Sequence, residues 1–246
     1  MDWREDRGIR WLEAELPGAR ATFSTRTGGA SGGDFESLNL GVLTEDDRAA
    51  VLVNRARLAD AIGLDPGRIL IGRQVHGGEV AGHSGPQEPS PWTDPGSISL
   101  EVDGHFTAET ELAALVFVAD CLPIALSGPD GIAMLHGGWR GLAGGIVGTG
   151  VAAVGATHAA IGPGIGACCY EVGEEVLAAF APLGPGHADG RMLDLVAVAR
   201  TLLERVGVLD VEVAGLCTSC NQDLFFSHRG GGPRTGRQAG LVWRSL

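Results

Sequence analysis

An α+β fold is predicted by this sequence, on two observations. Segments with strand-like alternation or short buried runs are mixed with segments of helical periodicity. They do not follow the regular strand–helix–strand rhythm of a parallel α/β sheet. No self-similarity at the roughly 20–50-residue periods of solenoids or propellers is present either. At 246 residues the chain can bury a sizeable core, and residues 1–246 read as one domain.

Residues 21–26 read as a short strand, followed by a turn-rich Thr/Gly stretch to residue 33. Residues 47–62 have helical periodicity, with Val51, Leu52, Leu58, Ala61 and Ile62 on one side and Gly63 placed to stop the helix. Residues 69–75 read as a strand running into Gln74-Val75-His76-Gly77. Residues 84–96, rich in Pro, Ser and acids, read as an exposed loop, an excursion from the domain and not a boundary. A buried-strand pattern over 112–118 runs into Ala119-Asp120-Cys121-Leu122-Pro123. A second, over 132–135, delivers His136-Gly137-Gly138-Trp139-Arg140-Gly141 before a Gly/Ala/Val-rich helix. Ala159 and Ile161 lead into Gly162-Pro163-Gly164-Ile165-Gly166. Helices over 173–180 and 195–206 and a strand over 211–216 follow, and the Gly- and Arg-rich tail ends in the apolar Leu241-Val242-Trp243.

Composition excludes several function classes. Hydrophobic residues make up 44% and charged residues 20%, a globular balance and not a disordered one. The net charge is −12 with no basic run, which argues against nucleic-acid or membrane-surface partners. Lys is absent, so all 18 basic residues are Arg. That removes a P-loop lysine, a pyridoxal Schiff base and any lysine nucleophile. The most apolar stretch, 112–126, is interrupted by Asp120 and Pro123 and falls short of the ~20 apolar residues of a membrane helix. Residues 1–18 carry charges throughout, so no signal peptide is expected. Five cysteines, an odd number, fit reduced thiols in a cytoplasmic protein better than a disulfide framework.

Three metal-ligand side chains, His76, Cys121 and His136, fall where strands are predicted to end. Two imidazoles and a thiolate are a borderline-soft set that suits Zn²⁺ and leaves a fourth position for water. On spacing alone the competing reading is three unrelated buried residues, because no ligand pair has a short-range signature. Asp120 at the end of an apolar strand, and Trp139-Arg140 in a Gly-rich turn, add weight to a site. Arg140 reads either as an anion contact or as a structural ion pair.

Thr25-Arg26-Thr27-Gly28-Gly29 and Ser37-Leu38-Asn39-Leu40-Gly41 resemble the opening signature of the laccase-domain family, also called the YfiH or multicopper polyphenol oxidase family. The motifs around His76, Asp120-Cys121 and His136 resemble its three central motifs. Ile161–Gly166 with Cys169-Tyr170-Glu171-Val172-Gly173 is similar to the next. Cys217-Thr218, Phe225-Phe226-Ser227-His228-Arg229 and Thr235-Gly236-Arg237-Gln238 complete the set, in register from about residue 20 to the end. The resemblance implies a mixed-sheet layered α/β/β/α sandwich and a zinc ion on His76, Cys121 and His136, copper being the less favoured metal. It also implies phosphorolysis of purine nucleosides (adenosine, inosine, methylthioadenosine) with phosphate, together with adenosine deamination. On that chemistry Arg26 and Arg140 are expected to hold phosphate, Asn39 a sugar hydroxyl or the base, and Asp120 to carry protons or orient a ligand. Departures from the family pattern are Gly137 for Ala, expected to loosen packing, His228 for Tyr, and Gly230 for Arg.

Two further patterns carry less weight. Cys217-Thr218-Ser219-Cys220 is a single CxxC with no second pair at finger spacing, and Cys168-Cys169 lies far back in sequence, so structural or incidental thiols are expected. Gly162–Ala167 matches GxGxxG/A only superficially, with Pro in the turn. His83, His105, His158 and His187 are expected to be solvated or locally bonded. A true multicopper oxidase needs paired His-X-His ligands, and the seven histidines contain none. The competing functions are a cysteine hydrolase, with Cys121 as nucleophile and His136 as base, and a non-catalytic metabolite-binding protein.

Overall fold

The computed structural model of the protein describes residues 1–245. The chain opens with β1 (Asp2–Asp6), β2 (Ile9–Leu16) and β3 (Ala19–Ser24), then α1 (Arg48–Ile62) and the short β4 (Ile69–Leu70). There follow β5 (Val80–His83), β6 (Gly104–Thr107), β7 (Ala113–Val118), β8 (Leu122–Gly128) and β9 (Gly131–Gly137). Next come α2 (Trp139–Ala143), α3 (Ile146–Val154), β10 (His158–Ile161), α4 (Glu174–Phe180) and the two-residue strands β11 (Ala188–Asp189) and β12 (Met192–Leu193). The chain finishes with α5 (Leu195–Arg205), β13 (Asp210–Val213), α6 (His228–Gly231) and β14 (Gln238–Arg244).

Two mixed six-stranded sheets stack face to face, in the orders β1-β2-β3-β14-β7-β4 and β13-β10-β8-β9-β6-β5. Side-chain alternation sorts three cores. Ala114, Val116 and Val118 of β7 meet Ala125, Ile132 and Met134 of the second sheet in the middle layer. Ala113 and Leu115 face the other way, towards Leu58 and Ala59 of α1. Leu122, Ile124 and Leu126 of β8 face Ile146, Val198 and Leu203 of the helical layer. This is the expected α+β class with α/β/β/α layering, since the central strands bury both faces and each sheet takes one helical cover. Burying one leucine-sized side chain contributes about 1.5–3 kcal/mol, so these cores dominate stability.

Local signals read from sequence account for much of this. Asp47 caps α1, its carboxylate accepting from the Ala49 N–H at 3.0 Å, and Gly63 ends the helix at φ 71°. The 69–75 strand is shorter than expected. Pairing stops at Leu70, because the Gln87 side chain takes the N–H and C=O of Ile71 at 2.8 and 2.9 Å. The 84–96 segment is a loop, but not one lying free in solvent: Trp92 is 1% exposed. Arg55 holds it there, donating to the carbonyls of Pro91 and Trp92 and lying over the indole. Gly137 is not loosely packed either, since a Cβ there would lie 3.0 Å from the Leu122 carbonyl oxygen and from Ile124 Cδ1.

The spare histidines are locally bonded as expected. His83 Nε2 and His105 Nδ1 lie 3.0 Å apart, and His187 bonds Thr201 and Gly184. Burial holds the His105 imidazole down to about 3, with the neighbouring His83 acting in the same direction. Between about pH 3 and 6.5 the unfolded chain therefore binds a proton at this position that the folded chain refuses. Stability should fall as the pH drops through that window, by up to about 1.4 kcal/mol per pH unit from this group. Urea unfolding midpoints of wild type and His105→Gln between pH 4 and 7 should show a shallower slope in the variant.

Candidate metal centre and binding pocket

Three chain crossings between the sheets meet at one end of the sandwich. The segment after β4 carries the chain from the first sheet to the second, as does the tight link between β7 and β8. The segment between β13 and β14 returns it to the first sheet. Cys121 lies on the β7–β8 crossing and His76 on the crossing after β4, while His136 sits near the end of β9, just before α2. One nitrogen of each imidazole and the Cys121 Sγ fall within 4.8 Å of one another. The imidazole rings stand edge to face with centroids 4.9 Å apart.

Asp103 organises this cluster, and sequence reading passed over it. Its carboxylate is fully buried and accepts the backbone N–H groups of Val75, His76 and Gly77 at 3.1, 2.9 and 2.7 Å. The same carboxylate lies 2.7 Å from His136 Nδ1. An ionised carboxylate only accepts, so His136 carries its proton on Nδ1 and turns Nε2 towards the cluster. His76 is thus placed by its backbone and not by a strand end. It adopts φ 61°, a left-handed conformation unusual for a residue with a Cβ. Burial alone would raise the Asp103 carboxyl, but His136 and the Gly77 and Val75 N–H groups hold it below its ordinary value. Burial likewise works against the Cys121 thiolate, yet His136 and His76 bring the thiol down to about 6. His136, in turn, is pushed up to about 9 by Cys121 and Asp103 despite its burial. The cluster thus favours a thiolate, the form in which cysteine ligates a metal or attacks.

Asp120 lines the pocket but is committed to the protein. Its carboxylate accepts from Thr218 Oγ1 at 2.6 Å, Ser227 Oγ at 2.7 Å and the Arg229 N–H at 2.6 Å. It sits at φ 95°. The expected proton carrier therefore fastens the β13–β14 crossing to the β7–β8 crossing, and among the described residues neither the Cys121 thiol nor a histidine ring donates a hydrogen bond to it.

The pocket beside the cluster has a volume of about 480 Å³, within the range of small-molecule sites. Arg140, Arg229 and Arg237 line it, with apolar walls from Leu43, Ile98 and Phe117. Among the described residues no carboxylate pairs with Arg140. Its guanidinium lies 4.4 Å over the Trp139 ring, so the ion-pair reading gives way to a cation facing the cavity. Arg229 stacks 5.0 Å over Tyr170, and Arg237 donates to the Thr235 and Gly236 carbonyls. These two arginines and Tyr170 were visible as motif members but had no assigned role. Burial, with the Cys121 charge adding to it, pushes Tyr170 up to about 12, so it stays a hydroxyl at neutral pH.

Two expected contacts are not met. Arg26 does not line the pocket; its guanidinium donates to the Glu36 and Gln222 carbonyls and lies over Phe226. Asn39 is fully buried with its amide consumed, donating to Thr44 and Asp46 and accepting from the Gly41 and Arg237 N–H groups. Both spend their polar atoms on holding irregular backbone together. The opening motifs thus form the frame that seats Arg237. Gly29 belongs to that frame, because a Cβ there would sit 1.9 Å from the Ser37 carbonyl oxygen.

A family model described as multi-copper polyphenol oxidoreductase laccase matches residues 20–245. The chain belongs to this laccase-domain family. The purine nucleoside phosphorylase YlmD of Geobacillus stearothermophilus is 35% identical over 98% of this chain and 96% of its own length. A purine nucleoside phosphorylase of Streptomyces coelicolor is 39% identical over 92% of this chain and 96% of its own. The crystal structure of YlmD superposes with a TM-score of 0.88 at 34% identity, covering 99% of this chain and 98% of that one. Bacillus licheniformis YfiH superposes at 0.87 with 28% identity, covering 99% of each chain.

Gly138 gives this laccase-domain protein a test of its cluster that leaves the fold alone. At φ −77° and ψ 159° its backbone suits any residue. A Cβ there would lie 3.2 Å from Cys121 Sγ and 3.4 Å from His76 Cδ2. Gly138→Ala should weaken zinc binding at the cluster by about tenfold, roughly 1.4 kcal/mol, as read by chelator competition, with an unchanged melting temperature of the metal-free protein.

Proposed function

We propose that this protein is a purine nucleoside phosphorylase that holds one zinc ion on His76, Cys121 and His136. Its relatives' names support the nucleoside and phosphate substrates. The observation that carries the reading is the pairing of a His₂Cys cluster with an arginine-walled cavity in an otherwise acidic, lysine-free chain. The donor set fits zinc, with Asp103 fixing the tautomer of one ligand. When bound, such an ion supplies Lewis-acid polarisation and water activation, which also fits adenosine deamination as a second activity.

The chain's own residues do the binding. Arg140, Arg229 and Arg237 replace the lost hydration of a phosphate with fixed cationic donors. Phe117 and Ile98 offer an apolar face for the base, and Tyr170 holds its proton as a hydroxyl donor. Asp120 keeps Arg229 in place. We read residues 1–246 as one catalytic domain working in the cytoplasm; no helix among the described residues is long and apolar enough to cross a membrane. A second reading has one specific observation behind it. Cys121, His136 and Asp103 follow one another as a nucleophile, base and orienting acid would.

Base release from adenosine, assayed with and without phosphate, tests the proposal. Adenine and ribose 1-phosphate should form only when phosphate is present, and Arg229→Gln or Arg237→Gln should lower kcat/KM for phosphate by about 10²–10³-fold. Base release that ignores phosphate, or none at all, would overturn it.

A further inference from the structure

Four of the five cysteines converge in a second cluster that the pocket chemistry does not use. Cys168 and Cys169 follow the Gly162–Gly166 turn, while Cys217 and Cys220 open the β13–β14 crossing. The fold brings these two loops side by side. Gly164 and Cys217 form an isolated parallel bridge, with the Thr218 N–H donating to the Gly164 carbonyl at 2.9 Å. One sulfur from each cysteine lies within 4.8 Å of the other three. The Cys220 Sγ stands 3.4 Å from that of Cys169 and 3.5 Å from that of Cys168.

These spacings suit a tetrahedral ion. Zinc–sulfur bonds of about 2.3 Å place the sulfurs of a tetrathiolate about 3.8 Å apart, whereas a disulfide draws two sulfurs to about 2.0 Å. The Gly166 N–H donates to Cys217 Sγ at 3.2 Å, the kind of contact that stabilises a thiolate. Gly166 packs closely on the cluster, since a Cβ there would lie 3.2 Å from Cys217 Cβ and 3.3 Å from Cys168 Sγ. The CxxC that looked isolated in sequence is half of a Cys₄ set completed by a vicinal pair about fifty residues earlier.

We propose that Cys168, Cys169, Cys217 and Cys220 bind a second zinc ion, with a structural role. Four thiols give up their protons as the ion binds, and a site filled by four protein ligands leaves no position for substrate. Its effect on the pocket is mechanical. Tyr170 follows Cys169 directly, and the 217–229 segment carries Thr218, Ser227, His228 and Arg229. The ion therefore clamps two walls of the pocket together next to the bonds Asp120 makes.

Metal analysis of untagged protein purified under reducing conditions should find about two zinc ions per chain. Cys168→Ser/Cys220→Ser and Cys121→Ser/His136→Ala should each retain about one. Cobalt exchanged into the wild type and into Cys121→Ser/His136→Ala should give the strong sulfur-to-cobalt charge-transfer absorption of a tetrathiolate, and Cys168→Ser/Cys220→Ser should lack it. The wild-type spectrum keeps the test intact if either double variant misfolds. A folded wild type holding a single ion without tetrathiolate absorption would overturn the proposal, as would a disulfide among these four cysteines found by mass spectrometry of the freshly isolated protein.

Discussion

Asp103→Ala is expected to cost about 3–5 kcal/mol of unfolding free energy and to weaken metal binding by about 10–100-fold. The carboxylate is inaccessible to water and serves four donors at once, three backbone N–H groups and the His136 imidazole. Removing it leaves three part-buried N–H groups and the buried His136 ring without their acceptor, at about 1–3 kcal/mol for each that water does not reach. It also releases the left-handed turn that aims His76 and frees the His136 ring to rotate. Asp103→Asn keeps one acceptor oxygen and should fall between wild type and the alanine variant. Urea unfolding of chelator-treated protein measures the stability cost without the metal's contribution, and competition with a chelator measures the affinity. A cost under about 1 kcal/mol would mean that water reaches the vacated donors.

His76→Ala should abolish stoichiometric zinc binding at this cluster and reduce phosphorolysis by at least about 10³-fold, with little change in the melting temperature of the metal-free protein. His76 is exposed and its side chain holds nothing else, so its loss should cost less than about 1 kcal/mol of stability. Removal of one of three protein ligands, by contrast, dismantles the donor set. The variant also separates the two enzymatic readings. A cysteine nucleophile with His136 as base and Asp103 behind it keeps its triad when His76 is gone, so activity that survives this substitution would favour the hydrolase. Activity lost together with the metal, and not restored by added thiol, supports the phosphorylase.

Wherever the signal was local, it was legible in the chain. The span of α1 followed from its periodicity and from Gly63 as its stop, and the helices of the outer layer from their periodicity. The motifs holding His76, Cys121 and His136 singled out the three side chains that the fold gathers into one cluster. Reading failed where a residue's role depends on a distant partner. Asp103, between Val102 and Gly104, is one acidic residue among thirty, and only the fold shows three N–H groups and an imidazole converging on it. Arg26 and Asn39 stood in strong motifs and looked free to bind substrate, yet backbone carbonyls and N–H groups had first claim on them. Arg140 went the opposite way, because its side chain stacks on Trp139 and leaves the cavity side open.

By itself the sequence determined the family, the α+β class, the sign of the protein's field and the residue types of its His/Cys cluster, because composition, periodicity and motif order are properties of the chain read along its length. The tertiary structure decided which arginines face the cavity, which acid supports the His/Cys cluster and that two cysteine pairs about fifty residues apart form one cluster. These depend on where three crossings between the sheets meet, and such meeting points are set by packing across the core and not by neighbours in sequence.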